Sequence, residues 1–226
     1  MKYSAMAYFA LVFFLALSAC TSPKADSSSI LEIIDTEYRV STQILLDECK
    51  KNNIPSDEMQ MWEQHWVVFS SPDKINKLKN TLENDYPSLN LKLYNAPFYD
   101  FNREKMTGEK PASEWKNIIM TANLIEDSTL QNEYMEYHRT QFEKWPEVSK
   151  GFVKADFQQL LVFRHGRQLM LVISIPQDKT LDELNPKTTE NNPRVDEWNK
   201  IMGKYQVGIE DAPRGTTWVV FKATAP

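Results

Sequence analysis

The sequence predicts an α+β chain of ferredoxin-like order, and three observations carry that expectation. Residues 115–222 alternate strand-like and helix-like runs in the order β-α-β-β-α-β, the split βαβ arrangement. Its two central strand runs flank His165-Gly166, the residue chemistry of a tight hairpin turn. Residues 63–101 repeat the opening of the scheme loosely, with Ser71-Pro72-Asp73 standing where Glu126-Asp127-Ser128 stands later and Tyr86-Pro87 where Trp145-Pro146 stands. An antiparallel sheet with both helices on one face leaves its other face open. A second sheet must cover that face, from another subunit or from this chain's own first half.

Composition agrees with a globular fold. The 226 residues are 42% hydrophobic and 12% aromatic, with a formal net charge of −5, ample for a core and suited to one or two domains. No dense Lys/Arg cluster is present, which disfavours nucleic acid as a partner.

Taken in order, residues 1–19 read as a targeting segment: Lys2, an apolar run from Tyr8 to Leu17, then Leu17-Ser18-Ala19-Cys20. This ending resembles the lipobox of bacterial lipoproteins. The resemblance implies cleavage before Cys20, acylation of that cysteine, and a fold held at the cell envelope by lipid alone, on the periplasmic face or the outer membrane. Residues 20–29 are small and polar, as a tether should be. Cys49 is then the only other thiol, so no disulfide framework exists, and it is assigned no chemistry.

Residues 30–113 are expected to form an N-terminal α+β domain. Ile30, Ile34, Tyr38, Leu45 and Cys49 recur at helical spacing; Glu63 to Ser70 reads as a strand; Pro72-Asp73 opens a helix whose Ile75, Leu78 and Leu82 share one side; Leu89 to Phe101 supplies short strands interrupted at Pro97. His65 beside Trp66 is read as structural, because neighbouring strand residues point to opposite faces. The polar segment 102–113, with Gly108 and Pro111, reads as a linker.

Residues 114–226 form the second unit. Trp115 to Ala122 reads as a strand, and Ser128 with Gln131 as a capping box opening a long helix that ends at Trp145-Pro146. On that helix Leu130, Tyr134, His138, Gln141 and Trp145 fall within an arc of roughly 80°. A purely packing stripe would favour aliphatic residues there, since a buried imidazole or phenol costs free energy unless hydrogen-bonded. The stripe therefore suits a cleft lining, and it also suits a satisfied packing histidine. His165 is read as a solvent-facing turn residue. The polar segment 177–192 (Asn185, Thr188, Thr189, Asn191, Asn192) could rim a site for a hydroxylated ligand. Asn192-Pro193 starts a helix lined by Val195, Trp198, Met202 and Tyr205, and Thr216 to Lys222 closes the unit as a strand.

Glu133-Tyr134-Met135-Glu136-Tyr137-His138, Trp145-Pro146-Glu147, Glu197-Trp198-Asn199-Lys200-Ile201-Met202 and the closing Trp218-Val219-Val220-Phe221 together resemble the L-rhamnose mutarotase family. The resemblance spans about Trp115 to Lys222. It implies a dimeric α+β barrel, an isomerase interconverting the α and β anomers of a deoxyhexose, and a pocket holding Tyr134, His138 and Trp198. Trp145 lies further from the histidine than the family's Trp-Pro pair does, but seven residues return to the same helix face, which makes it a second aromatic candidate for the sugar. An internal pseudo-dimer, in place of a homodimer, would let the first half supply the second sheet.

Mutarotation needs one group to take the anomeric hydroxyl proton and one to protonate the ring oxygen, with no metal and no cofactor. His138 is the candidate acid/base, and Tyr134 would orient the sugar or relay a proton. Two other readings stay open: a non-catalytic, lipid-anchored sugar-binding or sensing protein, and a small cofactor-free oxygenase of the same fold.

Overall fold

The computed structural model describes residues 28–224. The leader, Cys20 and nearly all of the tether lie outside the described residues. Ser29, assigned above to the tether, begins the first strand.

The first half is a complete βαββαβ unit: β1 (Ser29–Ile34), α1 (Thr42–Lys51), β2 (Met59–Trp62), β3 (His65–Ser70), α2 (Pro72–Asp85) and β4 (Asn90–Tyr94). Residues 30–34 are thus strand and not helix. Five of the six residues of β1 are aliphatic or small, the strand is buried along its whole length, and it is an interior strand of its sheet, between β3 and β4, where β-branched residues pack on both faces. The hairpin strand β2 is too short for its alternation to show in sequence. Ile75, Leu78 and Leu82 of α2 are fully buried, as their spacing requires.

The second half repeats the plan: β6 (Trp115–Leu124), helices α4 (Ser128–Arg139), α5 (Gln141–Lys144) and α6 (Pro146–Lys154), β7 (Gln159–His165), β8 (Gln168–Pro176), helices α7 (Leu181–Leu184), α8 (Pro186–Thr189) and α9 (Pro193–Met202), then two short strands β9 (Gln206–Val207) and β10 (Val219–Val220) that share one edge of β6. The closing run is split, because its last residues form β11 (Lys222–Ala223), which pairs with β2 of the other sheet. The linker contributes in the same way. After β4, strand β5 (Tyr99–Asn102) leaves the first sheet to pair with β7, and the short helix α3 (Arg103–Thr107) follows it, ended by Gly108 in the left-handed region (φ +73°).

Each sheet therefore reads outer strand, then the ferredoxin-like order: β11-β2-β3-β1-β4 in one, β5-β7-β8-β6-β10 in the other, with every pairing antiparallel. The halves exchange their outermost strands. A division at residues 113/114 does not separate the sheets, since β5 precedes it and crosses to the second sheet while β11 crosses back. Strand pairing is satisfied by whichever edge lies within reach, and a sequence boundary drawn from polarity does not register that choice.

Strand alternation builds four layers. Odd-numbered residues of β1 and even-numbered residues of β3 (Leu31, Ile33, Trp66, Val68) meet α1 and α2. Leu169, Ile173 and Ile175 of β8 meet α4–α9. The opposite parity fills the space between the sheets, where Ile30, Val67, Phe69 and Tyr94 meet Ile119, Leu161, Phe163, Met170, Val172 and Phe221. The exposed sheet face expected from sequence is thus covered within the chain.

Cys49 is buried beside Met59, and burial together with Glu58 and Glu48 pushes its thiol up to about 12. The native protein should accordingly leave this thiol unmodified by a maleimide at pH 7 until denaturant is added. Labelling at the rate of a free thiol under native conditions would contradict the packing.

Candidate active site

The helix carrying Tyr134 and His138 is not continuous to Trp145. It begins at Asp127, whose carboxylate accepts from the backbone N–H groups of Thr129 and Leu130, while Gln131 donates its amide to the Ile125 carbonyl. The capping box expected at Ser128 is displaced by this better acceptor one residue earlier. The helix ends at Thr140, a one-turn helix intervenes, and Pro146 starts α6 as its first residue. The stripe survives the breaks as burial, but its members diverge in direction.

A cavity of about 430 Å³ opens between this helix layer and the second sheet. Tyr134, His138 and Trp198 all line it, joined by Asn185 and Thr188 from the 177–192 segment. Trp145 does not. It packs edge-to-face behind Trp198 with ring centroids 5.6 Å apart, and the Arg194 guanidinium lies 3.8 Å from its ring centroid. The second aromatic candidate for the sugar is therefore a support for the first, because the chain turns at Thr140 and carries Trp145 away from the face it would occupy on a straight helix.

The lining residues that the sequence reading did not assign to the pocket include Tyr99, Gln206 and Trp218. Tyr99 comes from the exchanged strand β5, and its ring meets the His138 ring edge-to-face at 5.3 Å while its hydroxyl donates to Gln141 Oε1 at 2.8 Å. Gln206, in a two-residue strand, donates its amide to the Tyr134 hydroxyl oxygen at 3.3 Å and accepts from Trp218 Nε1 at 3.2 Å. The only sequence signal for these contacts was the aromatic character of Tyr99 and Trp218.

His138 is held in an aromatic box. Tyr134 lies 4.3 Å away, Trp198 5.3 Å and Phe98 5.6 Å by ring centroids. Its Nδ1 is 3.0 Å from the Tyr134 carbonyl oxygen, which only accepts, so Nδ1 carries the proton and Nε2 keeps its lone pair. Burial lowers the imidazole to about 4, with the carbonyl contact opposing that shift. The ring is neutral at physiological pH. Burial also raises the Tyr134 phenol well above its ordinary value, against the opposing contact from Gln206, so Tyr134 is a hydroxyl donor and not a base.

The cavity's far wall depends on a close helix approach. A Cβ at Gly151 would lie 2.7 Å from the Thr188 carbonyl oxygen. Gly151→Ala should push α8 outward and cost about 1–3 kcal/mol of stability, read as a lower denaturation midpoint; an unchanged midpoint would show that α8 yields freely.

The family comparison falls on the same half of the molecule. Residues 117–223 match the family model for L-rhamnose mutarotase. The chain is 26% identical over 103 residues to an L-fucose mutarotase of Xanthomonas campestris, covering 46% of this chain and 81% of that protein. It is 27% identical over 100 residues to a UPF0734 protein of Dictyostelium discoideum, covering 44% of this chain and 78% of that one. Among solved structures, a ferredoxin-fold protein of Listeria monocytogenes related to antibiotic biosynthesis monooxygenases aligns over 88% of this chain and 96% of its own, with 9% identity and a TM-score of 0.43. The segment matched by the L-rhamnose mutarotase family model runs from β6 to β11 and encloses the cavity's histidine, tyrosine and tryptophan, so the C-terminal half of this chain is similar to that family in the part that builds the cavity.

Proposed function

We propose that the cavity beside His138 binds a monosaccharide and that the chain is a sugar mutarotase acting on L-rhamnose or a related deoxyhexose. The observation that carries this reading is the pairing, in one indole-lined cavity, of a neutral imidazole with a bare Nε2 and a phenol that stays protonated. In mutarotation the anomeric O–H bond and the ring C–O bond break while a proton reaches the ring oxygen, and the reverse closes the ring on the other face. Neutral His138 accepts the anomeric hydroxyl proton at Nε2. Because burial makes its imidazolium a strong acid, that proton passes readily to the ring oxygen as the ring opens. Tyr134 orients the sugar by donating its hydroxyl, and Trp198 offers an apolar face to the C–H side of the ring.

The rest of the chain completes the proposal. The lipobox-like ending at Cys20 would tether the enzyme by lipid to the cell envelope, and the internal sheet partner would make it a pseudo-dimer that works as a single chain.

Saturation-transfer NMR on the anomeric protons of L-rhamnose, L-fucose and common hexoses tests the activity. Faster exchange for a 6-deoxyhexose supports it. Binding without faster exchange would make the protein a sugar-binding module instead.

A further inference from the structure

Alternation along the strands should fill the space between the two sheets with apolar residues, and at one end it does not. Glu32 of β1, His65 of β3, Lys92 of β4, Asn123 of β6 and His165 and Gln168 of the β7–β8 hairpin all take the inward parity, at the end of the layer beyond Ile30, Val67, Tyr94, Phe163 and Met170. All of them but Glu32 line a cavity of about 360 Å³, separate from the one beside His138 and closed on one side by Ile209, Glu210 and Asp211.

The wall of this cavity is built on Glu32, which has no exposed surface. One of its oxygens accepts from His65 Nδ1 at 3.0 Å and from the Gln168 amide at 3.1 Å; the other accepts from the Tyr94 hydroxyl at 3.1 Å, with Lys92 Nζ at 3.6 Å. A carboxylate so placed orients the His65 ring and leaves its Nε2 toward Asp211, 3.8 Å away on the cavity's edge. From the opposite sheet, His165 directs Nδ1 to the Leu93 carbonyl at 3.2 Å, which keeps its own Nε2 bare.

We propose that this inter-sheet cavity is a second ligand site, and that it takes a neutral polyhydroxylated molecule of monosaccharide size. The chemistry of the lining selects that class. The two imidazole nitrogens left free of protein partners and the carboxylates of Glu210 and Asp211 take hydrogen-bond donors, whereas Lys92, bonded to Gln168 Oε1 at 2.6 Å, and Arg167, paired with Glu126 at 2.7 Å, keep further N–H groups that take acceptors. Hydroxyl groups do both. An anion would set lone pairs against the ring nitrogens and the edge carboxylates, and a cation would leave Lys92 and Arg167 opposed. Ile34 and Ile209 supply apolar surface for C–H groups.

The inference does not depend on anomer exchange at His138. Calorimetric titration of the full chain with L-fucose should show two binding events. His65→Gln should weaken one of them at least tenfold, and Arg167→Glu, at a half-buried hairpin position, should weaken the same one severalfold. Trp198→Ala should remove only the other. Crystals soaked in L-fucose should hold a sugar between His65 and Lys92. A single event lost in Trp198→Ala and untouched by His65→Gln or Arg167→Glu, no binding at all, or tighter binding of D-glucuronate than of L-fucose at this site would each overturn the proposal.

Discussion

Replacing His138 by alanine is expected to lower the acceleration of anomer exchange about 10²–10⁴-fold, the range for loss of a positioned acid/base. Saturation-transfer NMR reads it directly. Binding should survive, because Trp198, Asn185 and Thr188 still line the cavity. The pH dependence follows from the neutral ring. Nε2 must be bare to accept the proton, so the wild-type rate should stay level through neutrality and fall as pH drops through about 4. The same group affects stability. Its folded value lies below its ordinary 6.5, so the unfolded chain binds the proton more readily between those values. Stability attributable to the neutral ring is whole above the unfolded value and declines as pH falls toward the folded one. His138→Ala should flatten that part of the midpoint-against-pH curve. An alanine variant with full exchange activity would remove the histidine from the mechanism.

Glu32→Ala should be the most destabilising single change outside the hydrophobic layers, at about 3–5 kcal/mol, because it strands buried partners instead of removing a complete pair. The His65 N–H and the Tyr94 hydroxyl lose their acceptor at once, Lys92 loses its buried counter-charge and keeps Gln168 Oε1, and the Gln168 amide is left with Thr121 Oγ1. Burial alone would raise the Glu32 carboxyl, yet His65, Lys92 and Gln168 together hold it below its ordinary value. It stays ionised in the fold. The sign is that of a depressed carboxylate: its contribution is present above the unfolded value and is lost as pH falls through the lower folded one. Denaturant titration checks the loss, and Lys92→Met in the Glu32→Ala background should recover part of it, since the two residues share one network. A drop below about 1 kcal/mol would mean that water enters and replaces the carboxylate without cost.

Much of the architecture was legible in the chain. The spacing of Ile75, Leu78 and Leu82, the β-prone runs of β7 and β8, and the helix opened at Asn192-Pro193 were local properties, expressed within one segment of the chain. The hairpin after β7 was legible with a shift of one residue. Gly166, at φ +58°, is the first of two turn residues, so His165 remains paired with Gln168 and faces the second cavity. The first strand was misread as helical because Ile30 and Ile34 are four apart, a spacing that a strand buried on both faces also satisfies.

What the sequence determined by itself was periodicity: which residues share a face, and hence that Tyr134 and His138 look the same way. Only the tertiary structure decided which faces meet. It placed Tyr99, from before the linker, against His138; turned Trp145 away; and brought Glu32 and Gln168, 136 residues apart, into hydrogen-bond contact. Such meetings depend on strand exchange and sheet stacking, where the free energy lies between segments far apart in the chain and leaves no mark on either segment alone.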